Sequence, residues 1–251
     1  MRGVLSGDNM FLESDSARKQ LRDEAKNFKV ELSPVQEDLL LKHLDLLIEK
    51  NKVLNLTRIT DVELAVRLHC IDSLLVYKSA SSEEFFNFLD IGTGGGFPGI
   101  ALAVMSNASG VLLDSVTKKV FAVSEFLCQL GLSNRISTSS ERAEMYALNH
   151  AGEFDLITAR AVAPLASLVE YAAPLVALKG RFITTKAQIT NEELDSGLKV
   201  AKICGLKYVS RETYELPKDS GHREIITFKK IKEPSIVLPR SNGMAKNKPL
   251  A

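Results

Sequence analysis

The glycine-rich segment Asp90–Gly99 carries the clearest chemical signal in this 251-residue sequence. It reads Asp-Ile-Gly-Thr-Gly-Gly-Gly-Phe-Pro-Gly and lies between an apolar run and a predicted helix, where α/β proteins bind nucleotides. Glycines there let the backbone adopt positive φ and approach a ligand closely. A Walker A loop is excluded because no Lys-Ser or Lys-Thr pair follows. The dinucleotide pattern G-x-G-x-x-G fails from Gly92 and fits only from Gly94.

The spacing of an acid and the glycines matches a different ligand better. Asp90 followed by Gly92, Gly94 and Gly96 resembles the first motif of class I S-adenosylmethionine methyltransferases. This cofactor carries a sulfonium and an α-ammonium group, so a carboxylate leaving the first strand suits it directly or through water. A merely tight strand–helix turn is the simpler alternative for these glycines.

Residues after the next two predicted strands extend this cofactor site. Asp114 follows a strand about 20 residues beyond the loop, where an acid accepts hydrogen bonds from ribose hydroxyls. NAD sites share that acid, and Asp114 could instead cap the helix that begins near Thr117. Ala143 and Glu144 follow the third strand, where a side chain and an amide are expected to bracket adenine. Glu144 could equally be a helix-start acid favoured by the helix dipole.

These residues need a sheet whose strands end at a common edge. Beyond Phe85, short apolar segments alternate with helical ones, which predicts a doubly wound, mostly parallel α/β sheet of the Rossmann-like class I methyltransferase type. The five expected strands are Phe86–Ile91, Val111–Leu113, Arg135–Thr138, Phe154–Thr158 and Arg181–Thr185. The expected helices are Pro98–Met105, Lys118–Leu130, Ala143–Asn149, Leu165–Leu178 and Glu192–Cys204. Two further strands, Lys207–Glu215 and Arg223–Lys230, lack an intervening helix and predict an antiparallel pair at one edge.

Helices precede this sheet, and a basic segment follows it. Ser33, Pro34 and Gln36 form a capping-box signature that opens a helix, and Thr60–Glu63 predicts a second capping box. We therefore expect four regions: a partly flexible N-terminal extension over 1–32, a helical cap over 33–80, a methyltransferase domain over 81–231 and a flexible basic tail over 232–251. Within the extension, Met1–Asn9 reads as a loose end and Ser16–Lys29 as a short helix.

Composition limits the class of protein and its surroundings. The net charge of +1 argues against a generally basic nucleic-acid binder, although a local basic face stays open. Cys70, Cys128 and Cys204 have neither metal nor disulfide spacing, so we expect buried reduced thiols and no metal site. No apolar run approaches the roughly 20 residues of a membrane span. We expect a cytoplasmic protein that does not bind membranes.

Several separate segments resemble one family, the bacterial 16S ribosomal RNA guanine-N7 methyltransferases, also called glucose-inhibited division protein B. The matching segments are Asn55–Thr57, Arg67–Leu74, Asp90–Ile100, Leu113–Ser115, Lys118-Lys119, Ala159–Leu165, Leu178–Gly180 and His222-Arg223. The sequence departs from the family pattern at Lys50, where an aromatic residue is usual, and at Gly95, where a proline is often found. We expect Gly95 to make the loop more flexible.

The resemblance implies methyl transfer from S-adenosylmethionine to N7 of a guanine in the decoding-region (530) loop of 16S rRNA. The substrate would be the small ribosomal subunit or an assembly intermediate, and the enzyme a monomer. Guanine N7 already carries a lone pair and no proton, so the reaction needs no general base and depends on positioning. A ribosome-binding module without activity, or methylation of a non-RNA substrate, is the alternative.

The resemblance also implies where cofactor and RNA bind. The candidate cofactor residues are Asp90, Gly92, Gly94, Gly96, Phe97, Asp114, Ala143, Glu144 and Arg160. Arg160 would also face the target pocket, and no residue is assigned as a catalytic base. The candidate RNA contacts are Arg58, Arg67, His69, Lys118, Lys119, Lys179, His222 and Arg223. Phe97 could stack on an extruded guanine or be a core phenylalanine, and His69 could be a packed histidine.

Overall fold

Seven strands form one mixed sheet in this computed structural model, which describes residues 10–160 and 163–251. The strands are β1 (Asn87–Ile91), β2 (Ser109–Leu113), β3 (Ile136–Ser139), β4 (Phe154–Arg160), β5 (Val176–Lys186), β6 (Leu206–Leu216) and β7 (Gly221–Lys230). Their order is β3-β2-β1-β4-β5-β7-β6, with the first five strands parallel and β7 antiparallel to both of its neighbours. The predicted doubly wound sheet with an antiparallel edge pair is confirmed.

Helices cover both faces of the sheet. They are α1 (Asp15–Asn27), α2 (Pro34–Asn51), α3 (Val62–Ala65), α4 (Asp72–Ala80), α5 (Gly99–Met105), α6 (Thr117–Gln129), α7 (Ala143–Tyr146), α8 (Leu165–Ala172), α9 (Asn191–Ile203) and α10 (Met244–Asn247). Successive side chains on a strand point to opposite faces. Phe88 therefore joins the apolar core beneath α2, α4 and α5, while Leu89 joins the core beneath α8 and α9.

One of the two predicted helix signals differs from the structure. Ser33 does make the capping box with Gln36, but the second box is absent: Asp61, not Thr60, caps the next helix by accepting from the Leu64 amide at 2.9 Å. Between α3 and α4, within the expected helical cap, the chain forms a π-helical segment, Val66–Ile71. Such segments displace side chains relative to a regular helix and are frequent at functional sites.

The helix expected over Leu165–Leu178 is too long. It ends at Ala172, and β5 begins at Val176. Pro174 explains the difference, because its ring lacks an N–H and clashes with the preceding helical turn. The expected helix Ala143–Asn149 is likewise shortened to α7.

The N-terminal extension and the C-terminal tail both pack onto the domain within the described residues. Phe11 and Leu21 are buried, and the amides of Phe11 and Leu12 donate to Asp45 at 2.8 and 2.9 Å. The segment 232–251, expected to be a flexible tail, folds back onto α8 and buries Ala245 there. Its basic composition favoured a flexible tail, but the buried Ala245 and the ion pair of Arg240 with Glu170 hold it in place. The loose end expected at Met1–Asn9 lies outside the described residues.

Two of the three cysteines lie in the core. Cys70 and Cys204 are buried as expected, but Cys128 is exposed near the end of α6, because its helical position faces away from the core. Among the described residues, no helix combines the length and the apolar character that crossing a membrane requires.

Candidate functional site

Two adjoining cavities open where the parallel strands end, as predicted for ligands of this fold. The first, which we call the cap cavity, has a volume of about 440 Å³ and lies between the glycine loop and the helical cap. The second, the strand cavity, has a volume of about 410 Å³ and lies beyond β2, β3 and β4. Gly92, Gly94 and Arg160 line both cavities. A molecule in one cavity therefore faces a molecule in the other across these three residues.

The glycine loop forms the floor between the cavities. Gly92, Gly94 and Gly96 have φ values of 71°, 58° and 98°, in the left-handed region that favours glycine. The amides of Gly92 and Thr93 donate to the Leu113 carbonyl at 2.7 and 3.0 Å. These bonds join the loop to the end of β2, so the first two strands present one continuous backbone surface to the strand cavity.

Gly95, expected to make the loop more flexible, is packed against α2. A Cβ atom added at Gly95 would lie 2.6 Å from Leu47 Cδ1, closer than side-chain atoms tolerate. The Gly95 carbonyl accepts a hydrogen bond from His43 Nε2 at 2.8 Å. The other departure, Lys50, pairs with Glu125 on α6 at 2.5 Å. Both unusual residues thus connect α2 to neighbouring elements.

Asp90 lies beneath the loop and lines neither cavity. Its side chain has no exposed surface, and its two oxygens accept from the Gly99 amide at 3.0 Å and the Thr158 hydroxyl at 2.9 Å. Burial raises the pKa of this carboxyl to about 6, partly offset by those hydrogen bonds. Asp90 was predicted to meet the cofactor directly or through water, whereas in this structure its buried carboxylate faces neither cavity. Asp90 instead ties the start of α5 to β4 and so positions the glycine loop.

Asp114 lies in the wall of the strand cavity, as predicted. One carboxylate oxygen accepts from the Gly94 amide at 3.0 Å, and the other accepts from the Val116 amide at 2.9 Å. Each oxygen keeps a further lone pair that can accept from a ribose hydroxyl. The alternative, that Asp114 caps the helix beginning near Thr117, is not what the structure shows, because Val116 is the N-cap residue of α6 and no side chain caps that helix. The bond to the Val116 amide lies in the turn before α6.

Ala143 and Glu144 line the same cavity from the start of α7. Glu144 Oε1 accepts a hydrogen bond from the Gly243 amide at 3.0 Å, whereas its Oε2 makes no hydrogen bond with the described part of the chain. Lys119, predicted as an RNA contact, also lines this cavity.

Phe97 forms a buried aromatic stack with two histidines. Its ring lies 4.3 Å from that of His43 and 4.6 Å from that of His69, with interplanar angles of 25° and 15°. Burial lowers the pKa of His43 to about 4 and that of His69 to about 3, so both imidazoles are neutral near pH 7. Phe97 is only 3% exposed. The core alternative therefore describes Phe97, and its ring is already stacked rather than open to an extruded guanine.

Arg160 and Arg223 meet at one carboxylate in the cap cavity. Asp72 Oδ2 lies 3.1 Å from Arg160 Nη1, and Asp72 Oδ1 lies 3.1 Å from Arg223 Nε. Arg160 also donates to the Leu68 carbonyl at 2.9 Å, and its guanidinium carbon lies 5.3 Å from the Phe97 ring centre. One carboxylate therefore positions two cations whose remaining N–H groups can donate to a ligand.

The predicted RNA contacts differ in their exposure and in their distance from the cavities. Arg58 and Lys118 are exposed, and Arg58 adjoins residues of the cap cavity. His69 and Arg223 line that cavity. His222 lies beside Arg223 and pairs with a surface glutamate at 2.5 Å.

Two of the predicted RNA contacts are wrong for this structure. Arg67 is buried and pairs with Glu24 of α1 at 2.8 Å, so it holds the N-terminal extension instead of facing solvent. Lys179 lies near the beginning of β5, at the sheet edge opposite the cavities, in an irregular stretch with φ of 72°. The predicted elements already indicated this position, because a residue between a helix and the next parallel strand lies at the edge opposite the carboxyl ends of the strands.

Several cavity residues were missed from the sequence. Leu47 of α2 and Lys186 at the end of β5 line the cap cavity, and Tyr171 and Lys246 line the strand cavity. His43 of α2 is buried and stacks on Phe97 without lining either cavity. A single histidine within the apolar stripe of α2 was the only available signal, because the others depend on long-range packing.

The strand cavity fits S-adenosylmethionine on its own geometry. The glycines at positive φ leave the loop backbone open, and the carboxylates of Asp114 and Glu144 offer acceptors for hydroxyl, amino and ammonium groups.

Comparison with known proteins agrees with this interpretation. The family model described as GidB, rRNA small subunit methyltransferase G, matches residues 36–222. A Ribosomal RNA small subunit methyltransferase G from Clostridium novyi is 34% identical over 90% of this chain and 94% of its own. Its namesake from Lachnoclostridium phytofermentans is 39% identical over 82% of this chain and 86% of its own.

A solved structure shows the same fold. A SAM-dependent O-methyltransferase from Thermotoga maritima superposes with a TM-score of 0.52 at 16% identity, covering 74% of this chain and 72% of its own. The predicted enzyme class and cofactor are thus those of the matched family. The chain belongs to the rRNA small subunit methyltransferase G family.

Proposed function

We propose that this protein transfers a methyl group from S-adenosylmethionine to N7 of a guanine in the 530 loop of 16S rRNA. It would act as a monomer in the cytoplasm, on the small ribosomal subunit or on an assembly intermediate. The observation that carries the proposal is the pair of adjoining cavities that share Gly92, Gly94 and Arg160. One cavity suits the cofactor, and the other presents paired arginines beside neutral aromatic rings.

In this proposal, the residues of the strand cavity bind the cofactor. Asp114 would accept from the ribose hydroxyls, and Ala143 and Glu144 would border the adenine. When bound, S-adenosylmethionine supplies an electrophilic methyl group. The glycine loop would orient that group toward the cap cavity, because Gly92 and Gly94 add no side chain at the passage between the two.

The cap cavity holds groups that would position the target base without removing a proton from it. Guanine N7 attacks through its own lone pair, so no side chain has to remove a proton. His43 and His69 are neutral near pH 7 because burial lowers their pKa values, so the charged groups of this region are Arg160, Arg223 and Asp72. Arg160 and Arg223, held by Asp72, would position the nucleotide through their free N–H groups. The rate would come from this alignment rather than from acid–base chemistry.

RNA beyond the target nucleotide would lie on the exposed cations at the rim. Arg58 follows the Leu56–Thr57 wall of the cap cavity, and Lys118 lies on the first turn of α6 beside the strand cavity. Electrostatic contacts of this kind weaken as salt concentration rises.

The test is mass-spectrometric mapping of N7-methylguanine in 16S rRNA from cells lacking this gene, followed by complementation. We expect the modification in the 530 loop to disappear in the deletion strain and to return with the wild-type gene. If the modification persists without the gene, or if purified protein cannot methylate subunits from the deletion strain, the proposal is refuted. A protein that binds those subunits without methylating them would indicate a ribosome-binding module.

Arg160→Ala tests the shared position between the cavities. Loss of charge-assisted hydrogen bonds worth about 1.5–3 kcal/mol lowers kcat/KM about ten- to hundredfold. Lys179→Ala is the matched control, because that cation lies at the opposite sheet edge and should leave the rate unchanged. Unchanged melting temperatures would show that both variants fold. Equal rates for the two variants would contradict the role of Arg160.

A further inference from the structure

A C-terminal segment closes one side of the strand cavity. This strap, residues 240–248, lies beyond the region that the family model matches, which ends at residue 222. It includes the left-handed Gly243 and the short helix α10. Lys246 of the strap lines the cavity together with Asp114 and Glu144, although these residues lie far apart in the sequence.

Paired and buried groups hold the strap against α8. Arg240 donates to both carboxylate oxygens of the buried Glu170, at 2.6 and 2.7 Å, which is the bidentate geometry that guanidinium groups favour. The Ser167 hydroxyl donates to the Ala245 carbonyl at 2.8 Å, and Ala245 itself is buried. Because α8 is the next element of the chain after β4, these contacts fix the strap near the cavity beyond the end of β4.

The strap reaches the cavity through backbone and side chain. The Gly243 amide donates to Glu144 Oε1 at 3.0 Å, which holds that carboxylate while Oε2 makes no hydrogen bond with the described residues. Lys246 is exposed overall and has no ion pair within the described ranges 10–160 and 163–251, yet it borders the cavity. Its ammonium group can only donate. The ring nitrogens and hydroxyl oxygens of adenosine can accept.

We propose that the strap is part of the cofactor site: Gly243 orients Glu144, and Lys246 donates a hydrogen bond to the adenosine moiety. The strap then retains the cofactor without taking part in the chemical step. This inference rests on the proposed assignment of the strand cavity to the cofactor.

The first experiment measures the Kd of S-adenosylhomocysteine by titration calorimetry with the full-length protein. Lys246→Ala should weaken binding about three- to tenfold, the effect of one hydrogen bond. Lys248→Ala is the matched control, since it removes a nearby exposed lysine of the same strap that does not line the cavity. Both variants should keep the wild-type melting temperature because neither side chain is buried. A Kd for Lys246→Ala equal to that for Lys248→Ala overturns the role of Lys246.

A second pair of variants tests the turn at Gly243. Gly243 has φ of 81°, so Gly243→Ala strains the turn, and an added Cβ would lie no closer than 3.4 Å to a neighbour. Gly131→Ala introduces similar strain at φ of 70°, with nothing within 4 Å, in the turn after α6. We expect a comparable loss of stability in both variants, but weaker cofactor binding only for Gly243→Ala. Equal Kd values for these two variants overturn the role of the turn.

Asp114→Asn separates this inference from the proposed function. If it weakens binding at least tenfold while the strap variants bind normally, the strap has no role and the cavity assignment stands. If Asp114→Asn binds as tightly as wild type in a folded protein, the cavity assignment fails and the strap proposal fails with it.

Discussion

The buried histidine on α2 predicts an acid-dependent loss of stability. His43 Nε2 faces the Gly95 carbonyl at 2.8 Å, and since a carbonyl can only accept, that nitrogen carries the proton of a neutral ring. Burial lowers the pKa of His43 from 6.5 to about 4 in the folded protein. In the unfolded chain the imidazole protonates near pH 6.5. Below that pH the unfolded chain binds a proton that the folded protein excludes, so stability falls as pH decreases.

The magnitude follows from linkage between protonation and folding. Each pH unit over which the unfolded chain alone holds the proton costs about 1.4 kcal/mol. From pH 7.5 to pH 5, His43 therefore lowers the free energy of unfolding by about 2 kcal/mol. His69 contributes in the same direction, because its pKa is lowered to about 3. Asp90 acts oppositely: its pKa is raised to about 6, so the folded protein takes up a proton there as pH falls and gains stability.

A single variant isolates the contribution of His43. His43→Gln keeps an amide that can donate to the Gly95 carbonyl but cannot titrate. Urea unfolding at pH 7.5 and pH 5 should show a stability loss about 2 kcal/mol smaller for the variant than for the wild type. The variant should also be less stable at pH 7.5, because it lacks the ring that stacks on Phe97.

His150→Gln is the matched control for that measurement. It removes one histidine in the loop after α7 and leaves the stack with Phe97 intact. If His43→Gln loses as much stability on acidification as the wild type, the reasoning about its buried neutral ring is refuted. A difference that appears in both histidine variants would also contradict it.

Three other variants test packing and charge around the cavities. Gly95→Ala should lower the free energy of unfolding by about 1–3 kcal/mol, because its Cβ would lie 2.6 Å from Leu47 Cδ1. Thermal unfolding measures this loss. In the Leu47→Ala background the same substitution should cost less, because the clashing atom is absent. Arg67→Ala should cost about 3–5 kcal/mol in urea unfolding, since it leaves Glu24 as an unpaired, nearly buried charge; a loss below 1 kcal/mol would contradict the pairing. Arg58→Ala should leave the melting temperature unchanged, weaken binding to the small ribosomal subunit and make that affinity less dependent on salt concentration. If filter binding shows the same dependence of affinity on salt as in the wild type, Arg58 does not contact RNA.

Local patterns in the sequence predicted the sheet and several residues of the strand cavity, the candidate cofactor site. The alternation of strands and helices, the loop at Gly92–Gly96 and the acid at Asp114 depend on neighbours within one strand–loop–helix unit. Because parallel strands end at a common edge, their order along the chain already places these groups together. The same argument does not describe Asp90, the penultimate residue of β1, whose side chain is buried beneath the loop.

The identity of the family and the chemistry of its cofactor could be recognised from residue types and spacing alone, because glycines at positive φ and strand-end acids are local requirements. The cap cavity could not be predicted from residue types and spacing. Asp72 meets Arg160 and Arg223 across 88 and 151 residues, and Phe97 stacks on histidines from two separate helices. The strap reaches Glu144 across 99 residues. Such contacts depend on how helices pack over the sheet, and packing is a property of the whole chain that no single segment encodes.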